Sequence, residues 1–267
     1  MGTSEHILPT TDRSYRPPAR TSQRHYYDEA CDPEFEITRP HGCGKLYQFV
    51  ISNKFQTGLK LLGLDMAGKT VLEVCCGSGL MAENLAHRGA RVTGIDFSSA
   101  AVARAYERAR HYDFSAQFCP ADTERLPFAD RSFDVVAVHD GLHHLDDPYP
   151  AMREMARVAR EGIIILEPAQ AMVTRLAVCW GIAQEVEEAG NVVRRLTPDH
   201  VVSCLRQAGF ARVVWRRTLM YYPHSPSSWF RWFDRTPLLV LFRVGLWLMN
   251  MVAGRWGNKL AVGATRT

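Results

Sequence analysis

Short apolar runs alternate with amphipathic stretches of helical spacing from Val71 onward. The runs consist mostly of Val, Ile, Leu and Phe, as expected for strands that helices cover on both faces. We predict five such strands, at 70–74, 91–96, 116–119, 133–139 and 162–167. Helices predicted around them cover residues 80–88, 98–112, 148–160 and 198–208. This alternation is typical of an α/β protein with a doubly wound sheet.

Two more strands are predicted late in the chain, at 210–222 and 259–266. If they pair as a hairpin, residues 223–258 form an insertion at its tip rather than a tail. Ahead of the sheet, residues 44–62 carry apolar side chains at helical spacing. We expect this helix to cover the cleft at the carboxyl edge of the sheet.

The chain has 267 residues, 46% of them hydrophobic, which is enough to bury a sizeable core. We expect a single domain over 25–267, with an N-terminal helical cover over 25–66 and a hydrophobic helical insertion over 223–258. Residues 1–24 contain Thr, Ser, Pro and Arg but no apolar core. They predict a flexible segment, and neither a signal peptide nor a membrane anchor.

The cysteines and the distribution of charge indicate the compartment of the protein and its possible partners. The seven cysteines are odd in number, with no CxxC pair and no spacing typical of metal ligands, so we expect reduced thiols, a cytoplasmic protein and no metal site. The net charge is +4, and after Pro223 six basic residues stand against a single acid, Asp234. Such a segment suits anionic lipid or an acidic substrate. Because no Lys/Arg cluster lies on an element that would read bases, we expect no nucleic-acid partner.

The insertion contains the most apolar stretches of the chain, 229–233 and 238–252. As a helix, the second stretch would measure about 22 Å at ~1.5 Å per residue, against ~30 Å for a hydrocarbon core. Arg243 near its middle adds about 2.5–3.5 kcal/mol to a membrane crossing, so we predict that it does not span a bilayer. Three placements fit: ordinary core, the lining of a pocket for a hydrophobic molecule, and a peripheral contact of 229–252 with a membrane surface. We favour core or pocket lining because apolar patches of this size are rarely exposed.

A glycine bend follows the first predicted strand, which ends near Glu73 and continues through Gly77-Ser78-Gly79 into a helix. Glycine lets the backbone approach a ligand closely, and the first amides of the helix favour a carboxylate or a phosphate. The pattern Gly77-x-Gly79-x-x-Ala82 also satisfies the dinucleotide fingerprint of NAD enzymes. The surrounding residues must therefore decide which ligand binds.

Three acids at successive strand ends favour a small cationic nucleoside over NAD. Glu73 would crowd a pyrophosphate with negative charge, but it suits the amino group of a methionine moiety. Asp96 ends the second strand and can accept from both hydroxyls of a ribose. Asp122 follows the third strand with Thr123 and Glu124, where it can accept from an adenine amino group.

Four segments resemble the successive motifs of class I S-adenosylmethionine-dependent methyltransferases, especially those similar to ubiquinone and menaquinone biosynthesis enzymes. They read VLEVCCGSG over 71–79, TGIDFS over 93–98, PADTERLPFADRSFDVV over 120–136 and HDGLHHLDDP over 139–148. The resemblance implies a Rossmann-like sheet of seven strands in the order 3-2-1-4-5-7-6, with strand seven antiparallel.

By this resemblance the cofactor is S-adenosylmethionine. Its methionine end is held by Glu73 and the glycine bend, its ribose by Asp96, and its adenine by Asp122 and Thr123, with Phe97 stacked on the base. The full set of candidate cofactor-binding residues is Tyr27, Glu73, Cys75, Gly77, Gly79, Asp96, Phe97, Asp122, Thr123, Glu124 and His139.

Two segments near these motifs allow two interpretations. Cys75-Cys76 departs from the family, which usually has one cysteine after a small residue, and we interpret the pair as packing. Tyr26-Tyr27-Asp28 resembles an aromatic–acid pair that touches the cofactor in many relatives. The alternative is a solvated loop.

Methyl transfer is an in-line displacement on an activated sulfonium, so the protein mainly aligns the nucleophile and, where needed, removes a proton. Candidates at the carboxyl ends of strands four and five are His139, Asp140, His143, His144 and Glu167. Histidine titrates near neutral pH, so His143 is our first candidate base and His144 our second. The alternative is a structural role in the turn, because LHHL is widespread in a family whose members differ in acceptor.

The resulting hypothesis is an enzyme that methylates a small, hydrophobic acceptor, such as a lipid-like molecule or secondary metabolite, at oxygen. One alternative is a non-catalytic cofactor-binding or membrane-surface module with the same fold. The other is an NAD-dependent oxidoreductase, which Glu73 opposes.

Overall fold

The computed structural model describes residues 19–172, 174, 179, 186, 192–220, 224, 226 and 228–267. One sheet contains seven strands: β1 Thr70–Val74, β2 Arg91–Asp96, β3 Ala116–Pro120, β4 Phe133–His139, β5 Ala159–Pro168, β6 Arg212–Thr218 and β7 Lys259–Thr265. Their order is β3-β2-β1-β4-β5-β7-β6, and β7 runs antiparallel to both of its neighbours. The predicted Rossmann-like, doubly wound sheet and its strand order are confirmed.

Helices flank this sheet. In the described chain they are α1 Ala19–His25, α2 Pro33–Thr38, α3 Lys45–Leu62, α4 Leu80–Ala86, α5 Ser99–His111, α6 Pro148–Val158, α7 Pro198–Gln207 and α8 Thr236–Ala253. A π-helical turn, Tyr26–Ala30, follows α1. Helix α5 begins where the sequence predicts. Ser98 caps its first turn, because the Ser98 side chain accepts a hydrogen bond from Ala101 N at 3.0 Å.

Strand β6 is shorter than the predicted strand over 210–222, of which residues 221 and 222 lie outside the described residues. Beyond β6 the backbone leaves the sheet, because Asn250 Oδ1 accepts from Leu219 N at 2.7 Å and Asn258 Oδ1 accepts from Met220 N at 3.1 Å. β6 and β7 nevertheless pair as the predicted hairpin. The insertion between them contains a 3-10 turn, Ser228–Asp234, and α8.

The core lies in two layers, one on each face of the sheet. Because side chains alternate along a strand, Val71 of β1 joins the layer beneath α3, α4 and α5, whereas Leu72 and Val74 join the layer beneath α6 and α7. The same alternation places Glu73 on the α4 side of the sheet. Polar side chains at the carboxyl ends of the parallel strands therefore lie along one edge of the sheet, on both of its faces.

Helix α3 lies across the sheet rather than over the cleft, so the expectation for residues 44–62 is wrong in its placement. It packs mainly on β5 and β7, with Phe55 and Leu62 in the core. The apolar face of α3 is thus buried by the sheet itself. Residues 19–43 approach the carboxyl edge instead.

Residues 19–24, which we expected to be flexible, begin α1. Gln23 is buried, and its Nε2 donates to the His144 carbonyl at 2.7 Å. This bond ties α1 to the loop after β4, a long-range contact that the composition of the segment does not reveal. The remainder of the predicted flexible segment, 1–18, lies outside the described residues.

Arg108 of α5 holds the N-terminal cover against the domain through buried hydrogen bonds. Its side chain is fully buried, and its Nε donates to Glu83 Oε2 at 2.8 Å. Nη1 donates to the carbonyls of Glu36 and Ile37 at 3.0 and 2.8 Å, and Nη2 donates to the carbonyl of Arg39. These bonds satisfy carbonyls at the end of α2 that have no partner within the helix.

Helix α8 lies on the surface, so the expectation that this part of the insertion is core or pocket lining is wrong. Leu246 is its one buried side chain, whereas Leu241, Trp247 and Val252 are 68%, 59% and 77% exposed. Asn250 turns inward and bonds the backbone that follows β6. This contact anchors the helix to the domain, and most of its apolar side chains face outward.

Replacing Arg108 with Met should lower the free energy of unfolding by about 3–5 kcal/mol, the range for removing one partner of a buried ion pair. The change removes one donor from the Glu83 carboxylate and one from each of three carbonyls at the end of α2. Urea unfolding followed by circular dichroism measures the loss. Arg110→Met, on the exposed side of the same helix, is the matched control and should change stability by less than about 0.5 kcal/mol. Small, equal effects in the two variants would contradict the role of Arg108 as a clamp.

Candidate active site

The chain bends sharply after β1. Cys75, Gly77 and Gly79 have φ angles of 52°, 51° and 79°, in the left-handed region. A Cβ added at Gly77 would meet no atom within 4 Å, whereas one at Gly79 would meet Ala105 and Phe118 at 3.3 Å. Gly77 therefore borders open space, as expected for a ligand-binding bend. Gly79 instead allows close packing on α5 and β3, which differs from the expectation that both glycines approach a ligand.

Glu73 is buried beside this bend, on the α4 side of the sheet. Its Oε2 has no hydrogen-bond partner among the described residues. Burial raises the pKa of Glu73 well above its ordinary value, and the charge of Asp96 adds to the rise, against the Ala82 and Met81 amides and Arg108. A buried carboxyl group with an unused oxygen fits a cationic ligand.

Asp96 ends β2 next to the bend and is also buried. Its Oδ2 accepts from Gly77 N at 2.9 Å, and its Oδ1 accepts from Ser98 N at 3.0 Å. Burial raises the pKa of Asp96, while these two amides, His144 and Arg104 oppose the rise. The amides hold the carboxylate in place, and each of its oxygens has further acceptor capacity for a ligand hydroxyl.

The third predicted acid stands apart from this buried pair. Asp122 is exposed, and its Oδ1 accepts from Glu124 N at 2.9 Å within its own turn. Thr123 is buried, and its hydroxyl oxygen lies 3.4 Å from the Cys75 sulfur. Two acids are therefore buried and the third lies at the rim, while Thr123 and Cys75 bring the end of β3 to the bend.

Tyr27 joins the N-terminal cover to two strand ends. Its ring packs edge-on against Phe97 and His144, with centroids 6.5 and 5.9 Å away, and its hydroxyl lies 3.3 Å from His144 Nε2. The neighbouring Asp28 accepts a hydrogen bond from the Ser98 hydroxyl. This segment is thus a packed wall of the site and not a solvated loop. Its contact with a cofactor stays a prediction.

His143 and Glu167 form a buried pair at the ends of β4 and β5. His143 Nδ1 lies 2.7 Å from Glu167 Oε2, and Glu167 Oε1 accepts from the amides of Gly141 and Leu142 at 2.8 Å each. Burial raises the pKa of Glu167, but His143 and the Leu142 amide outweigh this and lower it below its ordinary value. Because Glu167 is ionised, Nδ1 of His143 donates a proton to it, which leaves Nε2 as the other ring nitrogen.

His139 packs against α3, although we predicted it as a cofactor contact. Its ring centroid lies 4.8 Å from that of Phe55, and its Nε2 lies 3.2 Å from Asp140 Oδ2. Lys54 Nζ lies 2.6 Å from the same oxygen. Burial and the charge of Lys54 lower the pKa of His139 to about 4, so this ring is neutral at physiological pH. Sequence reasoning missed Lys54, whose signal was a lysine among the apolar positions of α3.

Asp140, His143 and Glu167 bring one metal-ligand atom each within 4.8 Å of one another. These groups already bond to other residues of the chain: Lys54 pairs with Asp140, and Glu167 accepts from His143 and backbone amides. A divalent cation would have to displace the Lys54 ammonium, so the arrangement suits a hydrogen-bond network. The expectation of no metal site stays a prediction.

A cavity of about 530 Å³ lies between the N-terminal cover and the insertion. Phe35 and Glu36 line it from the cover, and His224 and Arg231 line it from the insertion. Glu36 connects the cavity wall to the glycine bend, because its carbonyl accepts from the Ser78 hydroxyl at 2.8 Å. Glu36 Oε1 also lies 2.8 Å from His224 Nε2. The mixed apolar and polar lining suits a small molecule.

Comparison with known proteins agrees with this geometry. Residues 72–166 match the family described as "Methyltransferase domain". Over 147 residues the chain is 36% identical to 27-O-demethylrifamycin SV methyltransferase of Amycolatopsis mediterranei, a match that covers 54% of each protein. Over 168 residues it is 30% identical to 2-phytyl-1,4-naphtoquinone methyltransferase of Thermosynechococcus vestitus, covering 55% of this chain and 74% of that protein. The chain thus spans about half the length of the first relative and about three quarters of the second.

The fold is similar to that of magnesium protoporphyrin IX methyltransferase from Synechocystis PCC 6803, solved with bound SAH. The TM-score is 0.60 at 17% identity, and the superposition covers 94% of this chain and 100% of the other. At this identity the likeness speaks for the fold alone.

The residues at the bend fit S-adenosylmethionine. Glu73 Oε2 lacks a partner among the described residues, and the space beside Gly77 is open. A pyrophosphate would add negative charge next to two buried carboxyl groups, which opposes a dinucleotide. Since the sequence motifs, the sheet order and a relative matched over 74% of its length all agree, the chain belongs to the class I S-adenosylmethionine-dependent methyltransferase family.

Proposed function

We propose that this protein transfers a methyl group from S-adenosylmethionine to an oxygen of a small, hydrophobic acceptor. The observation that carries the proposal is the buried His143–Glu167 pair, 2.7 Å apart, at the sheet edge that also carries Glu73 and Asp96. A histidine oriented by a carboxylate removes a proton from a hydroxyl group. Transfer to oxygen uses such a base, whereas binding of the cofactor alone does not.

Bound S-adenosylmethionine supplies an activated methyl group on a positively charged sulfur. Glu73 binds the ammonium group of the methionine end, and Asp96 accepts hydrogen bonds from the ribose hydroxyls. At the rim, Asp122 accepts from the adenine amino group. Phe97 and Tyr27, packed edge-on at 6.5 Å, form an aromatic wall that excludes water from this end of the cleft.

His143 provides the base. Its Nε2 would accept the proton of the acceptor hydroxyl as the oxygen takes the methyl group, the methyl–sulfur bond breaks and the neutral thioether S-adenosylhomocysteine leaves. Glu167 keeps the proton of Nδ1 in place and stabilises the positively charged ring that results. The proton then passes to solvent, which restores the neutral ring. His144, whose ring lies 4.1 Å from that of His143, packs beside the base and contacts Tyr27.

The acceptor class is inferred from the relatives and the cavity together. The two relatives described above are named for a 27-O-demethylrifamycin and a phytyl-naphthoquinone. The cavity between the cover and the insertion offers Phe35 as an apolar wall and Arg231 as a polar one. A hydroxylated, largely apolar molecule fits this combination. Transfer of labelled methyl groups from S-adenosylmethionine to hydroxylated quinones and to a lipid extract tests the proposal.

Binding of S-adenosylmethionine should tighten as pH rises, and Glu73→Gln should abolish this dependence. Burial raises the pKa of Glu73, so the carboxyl group of the free protein keeps its proton at pH values where exposed glutamate is ionised. A cationic ligand favours the ionised form, so binding releases a proton and weakens as the pH falls. At neutral pH we expect the variant to bind about tenfold to hundredfold more weakly, as for the loss of a charged hydrogen bond.

Isothermal titration calorimetry at several pH values measures this dependence. Glu107→Gln, on the exposed side of α5, removes a carboxylate in the same way and should leave both affinity and pH dependence unchanged. An unaltered pH dependence in Glu73→Gln would remove Glu73 from the cofactor site.

Replacing His143 with Gln should lower kcat by about a hundredfold to ten-thousandfold, the range for loss of a general base. The affinity for S-adenosylmethionine should stay unchanged, because the base acts on the acceptor. The matched variant His144→Gln keeps the His143–Glu167 pair and should have a smaller effect. The two variants are compared by their rates of methyl transfer to whichever acceptor the labelling experiment identifies. Calorimetry measures their affinity for S-adenosylmethionine. Equal rates for wild type and His143→Gln would rule out His143 as the base.

A further inference from the structure

Helix α8 presents apolar side chains to solvent along the whole side that faces away from the domain. Seven of the exposed ones are Val240, Leu241, Val244, Trp247, Leu248, Met251 and Val252. At ~100° per residue they form a continuous arc of about 140° around the helix. A surface helix of a soluble domain normally turns its polar side outward, so α8 has the reverse arrangement.

Two polar side chains of α8 contact the domain. Arg243 lies over the ring of Phe49 on α3, with its guanidinium carbon 4.9 Å from the ring centroid. The Asn250 side chain forms two hydrogen bonds with the backbone of Leu219. It accepts from Leu219 N at 2.7 Å and donates to the Leu219 carbonyl at 3.1 Å. These contacts set the rotation of the helix about its axis. The outward position of the apolar arc is therefore a defined feature of the fold.

The helix is held against one domain at both of its ends. Within the described residues, Thr236–Trp256 is long and apolar enough to cross a membrane, with a mean hydropathy of 1.6. However, Asp234 Oδ1 accepts from Lys45 N at 2.7 Å just before the helix, and Asn258 O accepts from Ala169 N at 2.8 Å just after it. A helix fastened in this way can lie along a bilayer surface but cannot cross the bilayer while the fold is intact.

Arginine and tryptophan side chains border the apolar arc. Arg231 and Arg235 are exposed ahead of α8 and Arg255 beyond it, and Trp232 and Trp256 are 70% and 52% exposed beside them. The single acid of the insertion is already bonded to the start of α3. Aromatic and cationic side chains around an apolar face match the headgroup region of an anionic membrane.

We propose that α8 docks this protein onto the surface of an anionic lipid bilayer, with the helix axis parallel to the membrane and the apolar arc at the boundary of headgroups and acyl chains. A second copy of the chain is the competing occupant. Charge favours lipid, because two such faces would bring like-charged arginines together. Ser228 and Arg231 of the preceding turn line the cavity, so docking holds the cavity beside the membrane. That last consequence rests on the proposed function.

Co-sedimentation of the full chain with vesicles tests the docking. We use phosphatidylcholine vesicles with and without phosphatidylglycerol, and we expect tighter binding to the anionic vesicles that weakens as salt is added. The double change Val244→Glu and Trp247→Glu places two charges in the arc and should lower the partition coefficient at least about tenfold. Arg235→Gln and Arg255→Gln should each lower it about fivefold on anionic vesicles only.

Trp215→Glu is the matched control, since Trp215 is a 43% exposed tryptophan on β6, away from the arc. It should bind like the wild type, and circular dichroism confirms that each variant is folded. No binding of the wild type at low salt, or equal binding of the double variant, would overturn the proposal. So would a dimer, seen by sedimentation equilibrium without lipid, that the double variant dissociates. S-adenosylmethionine binding in the same samples distinguishes loss of docking from failure of the proposed function.

Discussion

The structure is organised around two carboxyl groups that are buried where β1 and β2 end. Asp96 is held by two backbone amides, whereas Glu73 keeps one oxygen without a partner among the described residues. Removing such groups from water is unfavourable unless a positive charge compensates. The open space beside Gly77 gives a cationic ligand access to both. The folded chain therefore lacks a compensating positive charge at the point where the family binds its positively charged cofactor.

The N-terminal cover completes this site, and two arginines of α5 hold it there. Arg104 donates to the Tyr27 carbonyl at 2.7 Å, and Arg108 donates to three carbonyls at the end of α2. These bonds place Tyr27 between Phe97 and His144, so that aromatic side chains from the cover and from two strand ends meet. The cover is thus fixed against the residues that follow β2 and β4.

Much of the fold could be predicted from the sequence, and the misses have physical causes. β1, β2 and β4 have the predicted bounds. In β1 and β4 most positions are apolar, as expected for parallel strands buried on both faces. Arg108 was missed because its partners lie about 70 positions away along the chain, where local spacing carries no information. Strand alternation turns His139 toward α3, whereas His143, beyond the strand, reaches Glu167. The contact of His139 with the cofactor stays a prediction. The side of α8 that packs was not evident either, because its apolar residues nearly encircle the helix.

Titration of the wild-type protein with S-adenosylmethionine by calorimetry at neutral pH tests the central claim most directly, with NAD titrated in parallel. The account predicts saturable binding of one S-adenosylmethionine per chain and no heat of binding with NAD, because two buried carboxyl groups offer a pyrophosphate no compensating positive charge. Binding of NAD, or absence of S-adenosylmethionine binding by the folded protein, would contradict it.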